Sequence, residues 1–311
     1  MIHTLDFEAK LAPSPPNLHA FLLRSLKDHW RDYRKDFARC RRRFSGKSVH
    51  RFRVESRRLL STLSVMAAIT PGKPLKAAIR GVKKRLRFFA SLRDTHVQLL
   101  AVGDLERKFP ELEDFRRALA KREKRLTKRV AQKLKHTGLH GVAKPIKAVR
   151  RELRSLMRNR RRNENDMGAV ADALDETFNT VTKRLHAIDS TNPVTIHRTR
   201  IAFKKFRYMM EALQPVLPGV NDRLIRRMQE YQSRMGDIQD ATVLRSNLEK
   251  FLGQHGRRAT DATRICPQLE RRSWVLITSF ASHADELYDF APPSRPRPTA
   301  SPARTAKRSV E

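Results

Sequence analysis

The sequence predicts an all-α fold of two tandem four-helix bundles, related by internal duplication, with a seam between them. Three observations predict it. Apolar residues recur at helical spacing through almost all of the 311 residues, and no convincing period-2 strand is found. A basic helix signature, VHRFRVESRRL at 49–59, returns as IHRTRIAFKKF at 196–206, an offset of 147 residues. Downstream, LRDTHV at 92–97 is echoed by IQDATV at 238–243, so the register survives past a single helix.

The breaks define the helices in order. The first, 17–44, ends at Ser45-Gly46, and 48–69 ends at Pro71-Gly72. Then come 74–102 and 110–136, the latter stopping near Gly138. The second half repeats the order as 166–188, 193–216, 221–255 and 259–290, with Pro218-Gly219 and Gly256 as breaks. Between the halves, 145–160 reads as an extra basic helix, and the polar run Arg161 to Asn165 reads as the boundary. The expected organisation is an N-terminal segment 1–16, a first half 17–160, a second half 161–290 and a disordered basic tail 291–311 rich in Pro, Ser and Arg.

Lys+Arg 67 against Asp+Glu 32 gives a formal net charge of +35, while a hydrophobic fraction of 39% is enough for a folded core. Such an excess seeks anions, and charge by itself selects a sign rather than a chemistry. Cys40 and Cys266 are too few and too far apart for a disulfide scaffold or a zinc site, so a reducing compartment is expected. Residues 1–16 carry Asp6 and Glu8 and no apolar stretch of signal length, and no run of about 18 apolar residues occurs. The expectation is a cytoplasmic protein with no membrane association.

On a wheel of about 100° per residue, Arg53, Arg57 and Arg58 fall near His50, with Phe52, Leu59, Leu63 and Met66 opposite. The second copy places Arg200, Lys204, Lys205, Arg207 and Tyr208 near His197, with Phe203, Phe206, Met210 and Leu213 opposite. Each helix therefore buries one face and presents a cationic strip on the other. The next helix adds Arg80, Lys83, Lys84 and Arg87, whereas its counterpart mixes Arg223, Arg226 and Arg227 with Glu230, Asp237 and Asp240, so an anion site should be asymmetric. Asp94 and Asp240 fall on the basic side, where they could fix neighbouring Arg rotamers. Arg93 and Gln239 fall towards the apolar side and suggest a helix-to-helix hydrogen bond instead of ligand contact. A single basic face is ordinarily just solvated, but a histidine at the same place in both copies, with Arg three residues on, fits a symmetric anion site. Arg grips phosphate oxygens through a planar fork, Lys adds a mobile charge, and His gains charge near neutral pH.

These residues resemble the CHAD family, the histidine α-helical domains, through His50-x-x-Arg53-Val54-x-x-x-Arg57-Arg58-Leu59 and His197-x-x-Arg200-Ile201-x-x-Lys204-Lys205-Phe206-Arg207-Tyr208. Leu92-Arg93-Asp94 with Val97, and Met235-Gly236-Asp237-Ile238-Gln239-Asp240 with Val243, are similar to that family's second-helix motif. The resemblance spans roughly 17 to 290. It implies a compact pair of helical bundles whose basic central cavity binds inorganic polyphosphate, and association with polyphosphate granules. Binding is thereby carried over to His50, Arg53, Arg57, Arg58, His197, Arg200, Lys204, Lys205 and Arg207. Helical geometry adds Arg80, Lys83, Lys84 and Arg87. His96 departs from the family, which often has an acidic residue there.

Residues 116–162 hold 19 Lys+Arg and two Glu, and this stretch could extend a polyphosphate track, bind nucleic acid or remain a solvated helix face. Granule proteins are further possible partners. Against nucleic-acid recognition, no aromatic and basic alternation suggests a base-stacking platform, and no helix-turn-helix stands out. A P-loop, a Glu-x-Glu-x-Lys strand and a nucleophile beside a base are all missing from the sequence. No catalysis, metal or cofactor is therefore expected, because phosphoanhydride hydrolysis would normally need carboxylate-held divalent metal.

Overall fold

A computed structural model describes residues 17–135, 137–157, 160–255 and 265–293; the side chains of 160–163 and of 255 are not described. The N-terminal segment, most of the expected tail and the start of the expected 259–290 helix lie outside these residues. The described chain is helical and contains no strand. The first repeat comprises α1 (Leu18–Arg42), α2 (Gly46–Ile69), α3 (Lys73–Phe88), α4 (Ala90–Glu106), α5 (Glu113–Lys135) and α6 (His140–Leu156). The second comprises α7 (Arg160–His186), α8 (Pro193–Leu213), α9 (Asp222–His255) and α10 (Ile265–Ala281), followed by a 3-10 segment, Ala284–Phe290.

Local chemistry starts these helices where the sequence suggests. Asn17 accepts from the Ala20 N–H at 2.9 Å, Ser45 from Ser48 N–H at 3.3 Å, and Asn192 from Val194 N–H at 3.2 Å, each relieving an orphan donor of a first turn. Several boundaries differ from expectation: the expected 259–290 helix ends at Ala281 and gives way to the 3-10 segment, and the expected 110–136 and 193–216 helices carry 3-10 turns at Pro110–Leu112 and Gln214–Val216. The 74–102 helix is broken at Phe89, whose ring is fully buried 4.9 Å from that of Phe52. No glycine or proline announces that break; it is fixed by the ring's burial. Pro145 lies inside α6 instead of opening it. The polar run Arg161 to Asn165, expected as the boundary, belongs to α7, since polar residues without Gly or Pro do not stop a helix.

The buried apolar residues do not divide into one core per repeat. One cluster runs through α1, α2, α3, α6, α7, α8 and the first half of α9, joining both copies. A second, smaller cluster joins the distal ends of α4 and α5 to those of α9 and α10, with Phe115 and Phe251 ring centroids 5.3 Å apart. Equivalent positions of the two repeats meet directly. His19 Nε2 lies 2.7 Å from Asp166 Oδ2, and Ser61 Oγ donates to the Tyr208 carbonyl, each pair separated by the repeat offset of 147. Equivalent residues can touch only beside an axis that exchanges the copies, so α2 and α8 pack across a local two-fold.

The helix α6 lies antiparallel along α3. Gly72 is beside Glu152, Gly81 beside Gly141 and Val142, and the buried Arg85 donates to the Gly138 carbonyl. A Cβ at Gly81 would meet Val142 Cγ2 at 2.8 Å and the Gly141 carbonyl oxygen at 3.0 Å. Alanine would add about 1 kcal/mol of helix propensity, and the clash outweighs it at about 1–3 kcal/mol. Gly81→Ala is therefore expected to lower the melting temperature, and Val142→Ala in the same chain to recover part of the loss. A melting temperature equal to or above the parent's would refute the close approach.

Candidate functional site

Both copies of the basic signature sit on the paired helices α2 and α8. Phe52, Leu59, Leu63 and Met66 on one, and Phe203, Phe206, Met210 and Leu213 on the other, are buried, which turns the histidine faces towards each other. With α4 and α9 they enclose a cavity of about 600 Å3. Most of its wall is built from matched pairs, one member from each repeat. His50 faces in with His197, Arg53 with Arg200, Arg57 with Lys204, and Asp94 with Asp240. Val54 with Ile201 and Val97 with Val243 supply apolar floor, and Arg93 with Gln239 complete the set.

That last pair corrects the expectation that Arg93 and Gln239 avoid ligand contact. The cavity opens at the flank of the apolar faces of α4 and α9, so side chains pointing that way enter it alongside the valines. Gln239 acts on His197, while the other ring nitrogen of His197, Nδ1, has no partner among the described residues. Arg53 donates to the Leu86 carbonyl at 3.2 Å, at the end of α3 where the break at Phe89 leaves a carbonyl accessible. Arg200 lies across Gly236, where a Cβ would approach Nη2 at 3.1 Å; its Nε has no partner among the described residues.

Five Arg and Lys side chains face two Asp in this wall. Burial, followed by the charges of Arg57, Arg200 and Arg53, pushes the Lys204 ammonium down to about 6. Burial and then Arg57 take Arg53 down to about 10, and burial lowers Arg93 and Arg200 as well. His50 and His197 are held below the usual imidazole value, by burial first and then by the neighbouring arginines. Asp94 and Asp240 are raised by burial, against the opposing pull of Arg53 and Arg200 respectively. The cations therefore disfavour one another, and the site as built is complementary to an added negative charge.

Not every residue singled out in the sequence reaches the cavity. Arg58 donates to Glu55 at 2.9 Å and to Glu211 at 3.4 Å, beside a separate pocket of about 300 Å3. Arg207 is buried, donates to Glu211 at 2.8 Å and Gln232 at 3.0 Å, and covers the Tyr208 ring at 4.1 Å. These two arginines tie α8 to α2 and α9 through shared partners. Lys83 and Lys205 line a depression of about 240 Å3 that adjoins the cavity at Arg57, Lys204 and Tyr208. Arg80, Lys84 and Arg87 are exposed on α3 and do not line the cavity. His96 is buried with Nε2 2.9 Å from Glu123, so the position where an acid is common instead meets an acid from α5. Asp94 and Asp240 lie in the cavity wall and form no ion pair within 4 Å with an Arg among the described residues; they act on the arginines through charge. Gln232 and Tyr208 also line the cavity; Gln232 could not have been found without the tertiary structure, because its repeat equivalent does not face in.

A CHAD domain model matches residues 22–249, which is most of the chain and includes every residue of the cavity wall. The chain belongs to the CHAD domain family. Among solved structures, the crystal structure of the CHAD domain from the plant Ricinus communis matches with a TM-score of 0.58 at 17% identity, over 88% of this chain and 90% of that one. At that identity the likeness speaks for the fold. No curated protein sequence matches. No described helix is long and apolar enough to cross a membrane.

The depressed pKa of Lys204 has a sign that can be tested. Between about 6 and the ordinary lysine value the unfolded chain binds the proton that the folded cavity resists, so stability from this group rises with pH across that window and is least below it. Lys204→Met is therefore expected to raise the unfolding free energy of the ligand-free protein by about 1–2 kcal/mol near pH 6, with the gain shrinking as pH rises. Denaturant melts along a pH series would show it, and a destabilised variant at pH 6 would contradict the repulsion.

Proposed function

We propose that this CHAD protein binds inorganic polyphosphate, without chemically altering it, in the cavity between α2 and α8. The observation that carries the reading is the wall itself: two copies of one His-Arg-Arg/Lys strip, brought face to face and each weakening the other's protonation. A linear polyanion reverses that penalty, because each phosphate supplies the opposite charge to a group that is already desolvated and positioned. Arg53, Arg57, Arg93 and Arg200 present forks to phosphate oxygens, Lys204 places a charge between them, and His50 and His197 donate hydrogen bonds. The family ligand inferred from the motifs fits this chemistry. Localisation at polyphosphate granules, and any contact with granule proteins, extend the same proposal.

A binding role is favoured over a hydrolytic one by the donor set. Asp94 and Asp240 are the carboxylates of the wall, and each is surrounded by cations that compete for it. Metal-dependent phosphate release from polyphosphate, abolished by His197→Ala, would overturn the non-catalytic reading.

In competition binding at near-physiological salt, Arg57→Ala with Arg200→Ala is expected to weaken long-chain polyphosphate by about 10- to 100-fold. Arg34→Ala with Arg198→Ala, on the outer surfaces of α1 and α8, should leave it within about two-fold of the parent. Equal losses would mean that diffuse charge, and not the cavity, holds the polymer.

Binding should also take up protons. The bound anion raises the pKa of Lys204, His50 and His197 above their depressed values, so affinity falls as pH rises from about 6 to about 8. Calorimetry at neutral pH in buffers of different ionisation heat should report net uptake of about one proton per site; heats independent of buffer would be evidence against it.

A further inference from the structure

We infer that the outer face formed by α3 and α6 is a second anion-binding surface, separate from the cavity, and that its partner is double-stranded nucleic acid held through its phosphates. This inference stands apart from the polyphosphate reading and does not need it.

The face has two rows. On α3, Lys76, Arg80, Lys84 and Arg87 fall within one exposed stripe, opposite the buried Leu75, Ala78, Val82 and Arg85. On α6, Lys144, Lys147, Arg151 and Arg154 do the same, opposite Val142, Ile146, Val149 and Leu153. Because the helices run antiparallel in direct contact at Gly81, with Gly72 beside Glu152, the rows lie about 8–10 Å apart between axes and are staggered: Lys76 and Arg80 sit beside Lys147 and Lys144, while Lys84 and Arg87 extend the face at one end and Arg151 and Arg154 at the other. Each extends for roughly 15 Å at about 1.5 Å per residue. Among the described residues, none of these eight cations forms an ion pair with a carboxylate.

The duplication provides an internal control. The stretch of α9 equivalent to α3 is also arginine-rich, but there Arg227 pairs with Asp289 at 2.6 Å and Arg234 with Glu286 at 2.8 Å. Both acids come from the 3-10 segment Ala284–Phe290, which follows α10 as α6 follows α5. One copy of the fold thus covers this helix with acidic side chains that neutralise it, and the other covers it with a helix that doubles its charge. The fold accommodates either, so the unpaired charge of α3 and α6 is not a requirement of packing.

The shape of the array favours a duplex. Together the staggered rows span about 25 Å at about 1.5 Å per residue, a length over which a double helix presents on the order of fifteen phosphates on two strands. Where the rows overlap the array is two cations wide, more than one thin chain would cover. The stripes carry no aromatic side chain for base stacking, which argues against single strands, and no Asn or Gln for base edges, so binding should be independent of sequence. Among the described residues the exposed large apolar ones are Leu100, Val194, Ile201, Trp274 and Val275, none of them on α3 or α6, so the face has nothing to insert into a lipid surface.

The test is fluorescence anisotropy of the full chain with a labelled duplex, across a salt series, and in parallel with labelled long-chain polyphosphate. A Lys76→Gln, Arg80→Gln, Lys147→Gln, Arg151→Gln variant is expected to lose about 10-fold or more in duplex affinity and to reduce the salt slope by about 3 to 4, with polyphosphate binding unchanged within about two-fold. Arg80→Lys with Arg151→Lys should retain duplex binding, separating charge from any effect on folding. The cavity variant Arg57→Ala with Arg200→Ala should retain it too. Unchanged duplex binding in the four-residue variant overturns the inference. So does an equal loss of polyphosphate binding, which would make the face part of the polyphosphate site.

Discussion

Packing of α2 against α8 across the local two-fold is the constraint on which the rest of this structure depends. Each helix must bury the apolar side that carries Phe52, Leu59 and Leu63 or Phe203, Phe206 and Met210, and each such side chain contributes about 1.5–3 kcal/mol when removed from water. Satisfying both at once leaves the two cationic strips facing each other. Their mutual repulsion is tolerated because the hydrophobic term, shared by one core that runs through both repeats, is much larger. Burial first, and then the facing cations, hold the protonation of Lys204 and the two histidines down.

Around this centre the protein separates arginines that hold the fold from arginines that are left without a carboxylate partner. Glu211 gathers Arg58 from α2 and Arg207 from its own helix, so two cations of the repeated motif become a clamp between the copies. Their partners, one or three residues away along the helix, turn into the cavity instead. A salt bridge of this kind, partly buried and shared, fixes orientation more than it adds stability. It holds α2 and α8 in the register that keeps Arg57 opposite Lys204.

The two copies are not equal. Arg57 and Arg93 of the first repeat face Lys204 and Gln239 of the second, which weights the cavity towards the first half. The same bias appears outside, where α6 adds charge to α3 and the acidic 3-10 segment removes it from α9. Duplication gave a symmetric frame, and substitution on exposed positions, which costs little in stability, has since made its surfaces different.

The sequence by itself determined the helices, their apolar faces and the pairing of His50, Arg53 and Arg57 with His197, Arg200 and Lys204, because these follow from a 3.6-residue period and from a repeat readable at fixed offset. It also located most breaks, since Ser45-Gly46 and the Pro-Gly pairs act through their own backbone chemistry. Tertiary structure decided the rest. The break at Phe89 depends on a ring buried against Phe52 from another helix, and Arg93 and Gln239 enter the cavity because it opens at the flank of an apolar face, a position no single wheel distinguishes from core. The fates of Arg58, Arg207 and the α3 cations turned on whether a carboxylate from elsewhere in the chain arrived within reach. Periodicity reports which side of a helix a residue occupies; only the packed neighbours determine what that side meets.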